Sequence, residues 1–280
     1  MRLCLSPGSI GVKAGPREAI ALALQHGFEA VEPSTDFLGR LSEAELGEFR
    51  AAMKGLVFGA AGLPVDFRGD DARFRADLAA LAPRAAGLRR AGVERVGTWI
   101  SPGHSALTYL ENFRRHAPRL REVAKVLGDH GQRLGLEYVG TPTSRQRARY
   151  PFIHSMREMR ELIAEIGAGN VGLVLDSWHW WTAGETEADL LALKAADVVS
   201  VDLNDAPAGI PVDRQLDGQR ELPCATGVIP MGVFLNALQR LGYDGPVRAE
   251  PFNKAVNDLP DNEACAAVIA ALRKAVALLK

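Results

Sequence analysis

Short apolar runs alternate along the chain with longer segments in which apolar residues recur every three or four positions. Short runs bounded by glycine or proline are typical of buried strands, and i, i+3, i+4 spacing is typical of amphipathic helices. Helical spacing is clear at Met156, Met159 and Leu162, and Gly27 follows another such segment as a C-terminal stop. Eight strands are predicted, at 2–6, 28–33, 56–60, 93–100, 134–139, 171–176, 198–203 and 247–251.

Eight strands alternating with helices in 280 residues indicate an α/β protein. About 35 residues per unit is close to what a (β/α)8 barrel of ~250 residues needs. A doubly wound open sheet is the alternative, but the first strand is followed by SPGSIG, which lacks the G-x-G-x-x-G spacing. No linker or composition shift divides the chain. We therefore expect one domain over residues 1–280, a single (β/α)8 TIM barrel.

The composition excludes several classes of protein. Lys and Arg number 33 against 34 Asp and Glu, so the net charge of −1 gives no sign of a nucleic-acid binder. No apolar stretch reaches 18 residues, which argues against a membrane span. The three cysteines, Cys4, Cys224 and Cys265, lie far apart and form no C-x-x-C pair, as expected in a reducing compartment. We expect a cytoplasmic protein.

Acidic residues mark the ends of the last four predicted strands. In a parallel barrel these ends form the active-site face. A single acid there can be a core carboxylate or a cap, and that interpretation stays open for each one. Several converging carboxylates repel one another and need a compensating cation, for which a divalent metal is the simplest answer. The residues concerned are Glu137, Asp176 with His179, Asp202 with Asp205, and Glu250.

These motifs, in this order, resemble the xylose isomerase-like superfamily of sugar phosphate isomerases and epimerases over essentially the whole chain. The matching stretches are LSPGSIG, GFEAVEP, the D-x-x-H of strand 6, NDAP, ELPCATGVIP and GYDGPVRAEPF. The resemblance implies a divalent metal bound by Glu137, Asp176 and Glu250, and by Asp202 at the position where the family usually has histidine. Oxygen ligands favour Mn²⁺ or Mg²⁺, and Zn²⁺, Co²⁺ and Fe²⁺ stay open through His179.

Two departures from the family pattern affect the expected site. Asp202 in place of histidine gives an all-carboxylate ligand set that is harder and more negative. The stretch Leu222–Gly227 reads LPCATG where the family commonly has an LPGEG-like turn, so the usual support role of this turn is in question.

The resemblance implies proton transfer next to a ketone. Glu137 and Glu250 would act as acid and base on either side of the substrate, and the metal would stabilise an enediolate. The expected activity is isomerisation or epimerisation of a sugar, sugar phosphate or keto-polyol. No glycine-rich phosphate cradle is evident, which favours a substrate without phosphate.

Four further residues are candidates for substrate binding. His179 would contact a substrate hydroxyl, and Arg214 resembles a family arginine that contacts substrate oxygens, although an ion pair with Asp213 or Asp217 is an alternative. Trp178 could stack on a sugar or form an oligomer contact. His104 follows strand 4 and could reach the pocket or lie in solvent. Arg248 shares the inward face of its strand with Glu250 and is predicted to neutralise carboxylates deeper in the barrel.

Other functions remain open at this point. A lyase or dehydratase would use the same proton abstraction and then expel a hydroxyl group. A non-catalytic sugar-binding or subunit role is kept open by the two departures. An apurinic endonuclease is disfavoured by the net charge of −1 and by six histidines, of which one lies in the late-strand motifs. The expected partner is a small sugar or polyol, with no nucleic acid and no membrane, and a homo-oligomer is left open.

Overall fold

Strands and helices alternate along the chain in a computed structural model that describes residues 1–280. The strands are β1 Arg2–Leu5, β2 Ala30–Val31, β3 Val57–Phe58, β4 Ala61–Gly62, β5 Arg95–Ile100, β6 Gly103–His104, β7 Arg133–Tyr138, β8 Tyr150–Pro151, β9 Val171–Asp176, β10 Val198–Leu203 and β11 Pro246–Ala249. The helices are α1 Pro16–His26, α2 Thr35–Arg40, α3 Glu43–Met53, α4 Asp71–Ala79, α5 Leu81–Ala91, α6 Tyr109–Asp129, α7 Pro142–Arg145, α8 Met156–Ile166, α9 Ser177–Thr182, α10 Glu187–Leu191, α11 Met231–Leu241, α12 Lys254–Asn257 and α13 Asp261–Val276.

Nine strands form one sheet in the order β3-β2-β1-β11-β10-β9-β7-β5-β4, and every pair in it is parallel. The two outermost strands, β3 and β4, are consecutive pieces of one stretch of backbone. β3 pairs with β2 and β4 pairs with β5, so this stretch closes the sheet. Counted as one strand, it makes a barrel of eight strands, and the predicted α/β TIM-barrel fold is confirmed.

Gly59 lies where the third barrel strand passes from one neighbour to the other. Its N–H donates to the carbonyl oxygen of Val31 at 3.0 Å. A Cβ atom at this position would lie 2.7 Å from the sulfur of Cys4, which is closer than packed atoms approach. Only glycine lets β1 and the third strand come this close.

All eight predicted strands are present, and the later ones are long and buried. Every residue of β9 and β10 is buried. Parallel strands covered on both faces read as continuous apolar runs, which is why these segments stand out in the sequence. The helix predicted from Met156, Met159 and Leu162 is α8, and it buries all three.

A small second sheet ties two loops together at the carboxyl end of the barrel. β6, after β5, pairs antiparallel with β8, after β7. The segment between β7 and α8 is therefore fixed against the neighbouring loop. None of the helices has the length and hydropathy required to cross a membrane.

Candidate active site

The carboxyl ends of β7, β9, β10 and β11 bring four predicted carboxylates into one pit. Asp176 ends β9, and it lies opposite Asp202 of β10 in the strand register. Glu137 is in β7, and Glu250 follows β11. One carboxylate oxygen from each of Glu137, Asp202 and Glu250 lies within 4.8 Å of the others. The convergence expected from the sequence is therefore present.

A cavity of about 450 Å³ opens above this pit. Glu137, His179 and Glu250 lie at its floor, and Trp99 and Phe252 contribute aromatic faces. Both aromatic side chains are partly exposed, Trp99 at 47% and Phe252 at 41%. Small-molecule sites in proteins are commonly cavities of this size, with a few polar groups at fixed positions. The cavity suits a ligand of about the size of a monosaccharide.

Arg248 is the first of two cations in the pit. Its Nε and Nη2 atoms donate to the two oxygens of Asp202 at 2.7 and 2.9 Å. Nη1 donates to Glu32 at 3.0 Å, and Nη2 lies 3.4 Å from Glu250. Asp202 is fully buried, and these two hydrogen bonds from Arg248 stabilise its negative charge inside the barrel. The predicted position of Arg248, on the inward face beside Glu250, agrees with these contacts.

Arg220 is the second cation, and the sequence reasoning missed it. Its Nη1 donates to Asp176 at 2.8 Å and lies 3.4 Å from Glu250, and its Nη2 donates to Asp217 at 2.9 Å. The guanidinium group lies 4.6 Å from the centre of the Phe252 ring. Its side chain is only 1% exposed. Arg220 lies in a loop without a periodic pattern of apolar residues. The one sequence feature that indicates an inward-facing cation is the surplus of acidic over basic residues near the site.

The loop that carries Arg220 is held by Asp205. The Asp205 carboxylate accepts hydrogen bonds from the backbone N–H groups of Thr226, Gly227 and Ile229 at 2.7 to 2.9 Å. Cys224 of the LPCATG turn has a φ of 60°, in the left-handed region that glycine prefers. The turn therefore keeps a glycine-like conformation without the glycine, and its support role is provided by Asp205.

Burial raises the pKa values of three carboxyl groups in the pit. Burial, and next the charge of Glu250, raise the pKa of Glu137 well above its usual value. Burial also raises the pKa of Glu250 to about 7, although Arg248 opposes the shift, and that of Asp176 to about 6. Carboxyl groups that hold protons near neutral pH are frequent in active sites.

His179 lies where the sequence predicts, at the cavity floor. It is buried, and its Nδ1 accepts a hydrogen bond from the backbone N–H of Gly140 at 3.2 Å. Burial, and next the charge of Arg220, lower the pKa of His179 to about 3, so the ring is neutral. Because Nδ1 accepts this bond, the neutral ring carries its proton on Nε2, which lies 3.3 Å from Nη2 of Arg220 and can donate to a hydroxyl oxygen.

The structure places the other three residues predicted to contact the substrate outside the lining of the cavity. Trp178 is fully buried, and its Nε1 donates to Thr141 at 2.8 Å, so its ring cannot stack on a ligand. His104 accepts the backbone N–H groups of Ala106 and Leu107 on its Nδ1 and does not line the cavity. Arg214 is an exposed residue of a short 3-10 helix, outside the cavity and outside every ion pair. Local sequence spacing does not reveal in which direction a loop side chain points.

The residues present fit a divalent cation. One carboxylate oxygen of Glu137, Oε1, is buried and has no hydrogen-bond partner. Donor atoms of Glu137, Asp176 and His179 lie within 4.8 Å of one another, as do those of Glu137, Asp202 and Glu250. Both oxygens of Asp202 are bound by Arg248, and those of Asp176 accept hydrogen bonds from Arg220, Asn204 and the backbone N–H of Trp178. Glu137 and Glu250 are therefore the freer ligands. The pit has more carboxylates than its two arginines neutralise, which favours a further cation.

Comparison with known proteins agrees with this geometry. The family model described as "Xylose isomerase-like TIM barrel" matches residues 20–275. The chain therefore belongs to the xylose isomerase-like TIM barrel family, as its sequence motifs indicated.

Three individual proteins are similar to this chain over most of its length. An inosose isomerase of Bacillus velezensis is 24% identical over 273 residues, which cover 90% of this chain and 89% of the relative. A xylose isomerase domain protein of Alicyclobacillus acidocaldarius is 33% identical, with a TM-score of 0.87 and coverage of 99% of both chains. A structure of the IOLI protein with a bound zinc atom is 20% identical, with a TM-score of 0.82 and coverage of 99% of this chain and 98% of that one. These likenesses agree with a sugar isomerase or epimerase class.

Proposed function

We propose that the protein is a divalent-metal-dependent isomerase or epimerase that moves a proton at the carbon next to a ketone. The observation that carries the proposal is the convergence of Glu137 and Glu250 at the cavity floor, with one oxygen of Glu137 left unpaired. A proton-transfer enzyme needs one group that takes a proton near neutral pH and another that returns it.

The two glutamates suit these two roles. Glu250, with a pKa of about 7, takes the proton from the carbon beside the carbonyl group and leaves an enediolate. Glu137, whose donor oxygen lies within 4.8 Å of that of Glu250, returns a proton to the enediolate. Return to the neighbouring carbon is isomerisation, and return to the opposite face of the same carbon is epimerisation. Paired carboxyl groups divide acid and base work in this way in other proton-transfer enzymes.

Neighbouring side chains would orient the substrate. His179 offers a neutral ring nitrogen to a hydroxyl group, and Trp99 and Phe252 offer partly exposed aromatic faces for the apolar side of a sugar ring. These two aromatic residues take the role that the sequence suggested for Trp178.

Glu137, Asp176 and Glu250 would hold the metal ion, with His179 in reach and Asp202 shared with Arg248. The ion would supply positive charge for the two adjacent substrate oxygens. Oxygen donors favour Mn²⁺ or Mg²⁺, and the zinc atom of the IOLI protein keeps Zn²⁺ as a candidate. The relative named inosose isomerase supports a keto-polyol or ketose as substrate.

Deuterium exchange tests the proposal directly. The protein is loaded with Mn²⁺ and incubated in D₂O with inosose and a panel of ketoses, and incorporation at the carbon next to the ketone is followed by NMR. We expect incorporation with at least one member, and a loss of about 100-fold or more in Glu137→Gln and Glu250→Gln. A product lacking the elements of water would instead identify a lyase. No exchange with any member would contradict the proposal.

Metal content gives an independent measurement. Elemental mass spectrometry after soaking in excess Mn²⁺ and gel filtration is expected to find about one divalent ion per chain, lost in both glutamine variants. Arg214→Gln is the matched control, because its side chain is exposed and remote from the pit.

A further inference from the structure

The wall of the cavity between β7 and α8 carries positive charge only. The segment between these two elements, residues 139–155, contains three arginines and neither aspartate nor glutamate, in a chain whose net charge is −1. These arginines, Arg145, Arg147 and Arg149, fall within five residues. None of the three takes part in an ion pair of the structure. A surface of one sign at a cavity mouth raises the local concentration of ligands of the opposite sign.

The segment that forms this wall is anchored at several points along its length. Thr143 donates to the carbonyl oxygen of Gln215 at 2.6 Å, and Thr141 donates to Asp217 at 3.2 Å. The pairing of β6 with β8 fixes the far end of the segment. A Cβ atom on Gly103 would lie 2.4 Å from that of Ala148, so the two loops are in close contact.

Arg147 is the arginine of this wall that lines the cavity. The other guanidinium of the cavity, that of Arg220, is already shared among Asp176, Asp217 and Glu250. Arg147 has no such partner, and Ser144 lies beside it in the lining with a free hydroxyl group. The cavity thus has an acidic floor and an uncompensated cation in its outer wall.

From this geometry we propose that Arg147 is a specificity-determining residue that binds an anionic end group, a carboxylate or a phosphate, of the substrate. An anionic group at the floor would meet Glu137, Asp217 and Glu250, whereas at the wall it meets a guanidinium that forms paired hydrogen bonds with such groups. The ketone end then lies at the floor and the charged end at the wall. The proposal rests on the proposed function and names the substrate class for the same site, an acidic sugar rather than a neutral one.

Binding of three matched sugars tests it. Calorimetric titration of the metal-loaded protein uses D-fructose, D-fructose 6-phosphate and D-fructuronate, which share a ketose skeleton and differ in the end group. We expect at least one anionic sugar to bind about tenfold more tightly than D-fructose. The difference between the phosphate and the carboxylate identifies which anion is preferred.

Variants of the wall separate Arg147 from general attraction by positive charge. Arg147→Gln is expected to abolish the preference for the anionic sugar, and Arg147→Lys to keep part of it. Arg149→Gln is the matched control on the same loop, because its guanidinium stacks on Tyr150 at 5.1 Å and does not line the cavity. Neither position takes part in an ion pair, so the three variants should fold.

Equal affinity for the three sugars overturns the proposal, as does failure of both anionic sugars to bind or a preference that survives in Arg147→Gln. This result is distinguishable from failure of the proposed function, because binding requires no proton transfer. Anionic preference without deuterium exchange would support the Arg147 site and contradict the isomerase.

Discussion

Two arginines reach the same carboxylate, Glu250, from different kinds of structure. Arg248 belongs to β11, binds both oxygens of Asp202 with a pair of hydrogen bonds, and also contacts Glu32 and Glu250. Arg220 comes from the loop after β10 and distributes its N–H groups among Asp176, Asp217 and Glu250. The Arg248 side chain is 25% exposed and that of Arg220 is 1% exposed. The alternation of side chains along a strand determines the direction of Arg248, whereas contacts with neighbouring residues determine that of Arg220. Arg220 is the more deeply buried of the two.

The largest effect is expected from Arg220→Met. The substitution leaves Asp176 and Asp217 without their cation in a buried site, and breaking a buried pair on one side costs about 3–5 kcal/mol. The free energy of unfolding, measured by urea titration of metal-free protein, should fall by this amount. A loss below about 1 kcal/mol would show that the loop relaxes and lets water reach the acids.

Arg214→Gln is the matched control, six residues earlier in the same loop. Its side chain is exposed and unpaired, so the free energy of unfolding should change by less than about 0.5 kcal/mol.

A somewhat smaller effect is expected at the strand-borne pair. Arg248→Met leaves Asp202 buried and unpaired, and we expect a loss of about 3 kcal/mol. The double variant Arg248→Met with Asp202→Asn removes the orphaned charge and should recover part of this loss. A double-mutant cycle in urea unfolding then measures the coupling, for which contacting charged residues give about 0.5–3 kcal/mol. If the effects of the two single substitutions on the free energy of unfolding simply add, the hydrogen bonds between Arg248 and Asp202 contribute little to stability.

The smallest effect concerns pH. The pKa of Glu250 is raised from 4.5 to about 7 in the folded protein, so the folded state binds the proton more tightly than the unfolded chain. This contribution to stability is complete below about pH 4.5 and is lost as pH rises through 7. In EDTA, Glu250→Gln should therefore gain stability relative to the native protein as pH rises from 4.5 to 8. A constant difference across this range would contradict a raised pKa.

The sequence predicts the positions of the site residues on strands better than those of the site residues in loops. The strands that bear Glu137, Asp176 and Asp202 are continuous apolar runs, so their ends and their side-chain directions follow from the period of a strand. Arg248 could be placed by the same rule.

Loop residues follow no such rule, because tertiary contacts decide their direction. Arg214 and Arg220 are both arginines of one loop, yet only Arg220 turns inward. Asp205 holds the segment that carries Arg220, and it does so through backbone N–H groups that leave no mark in the sequence. Trp178 lies away from the cavity for a related reason, since its short helix directs the ring into the core.

The divided third strand has a consequence for self-association. Because β3 and β4 use opposite edges of one stretch of backbone, the barrel sheet ends on itself at Gly59 and exposes no unpaired strand to solvent. Open edges are the templates on which sheets of separate molecules join and aggregate. The barrel has no such template, so copies of the chain cannot associate by extending the barrel sheet.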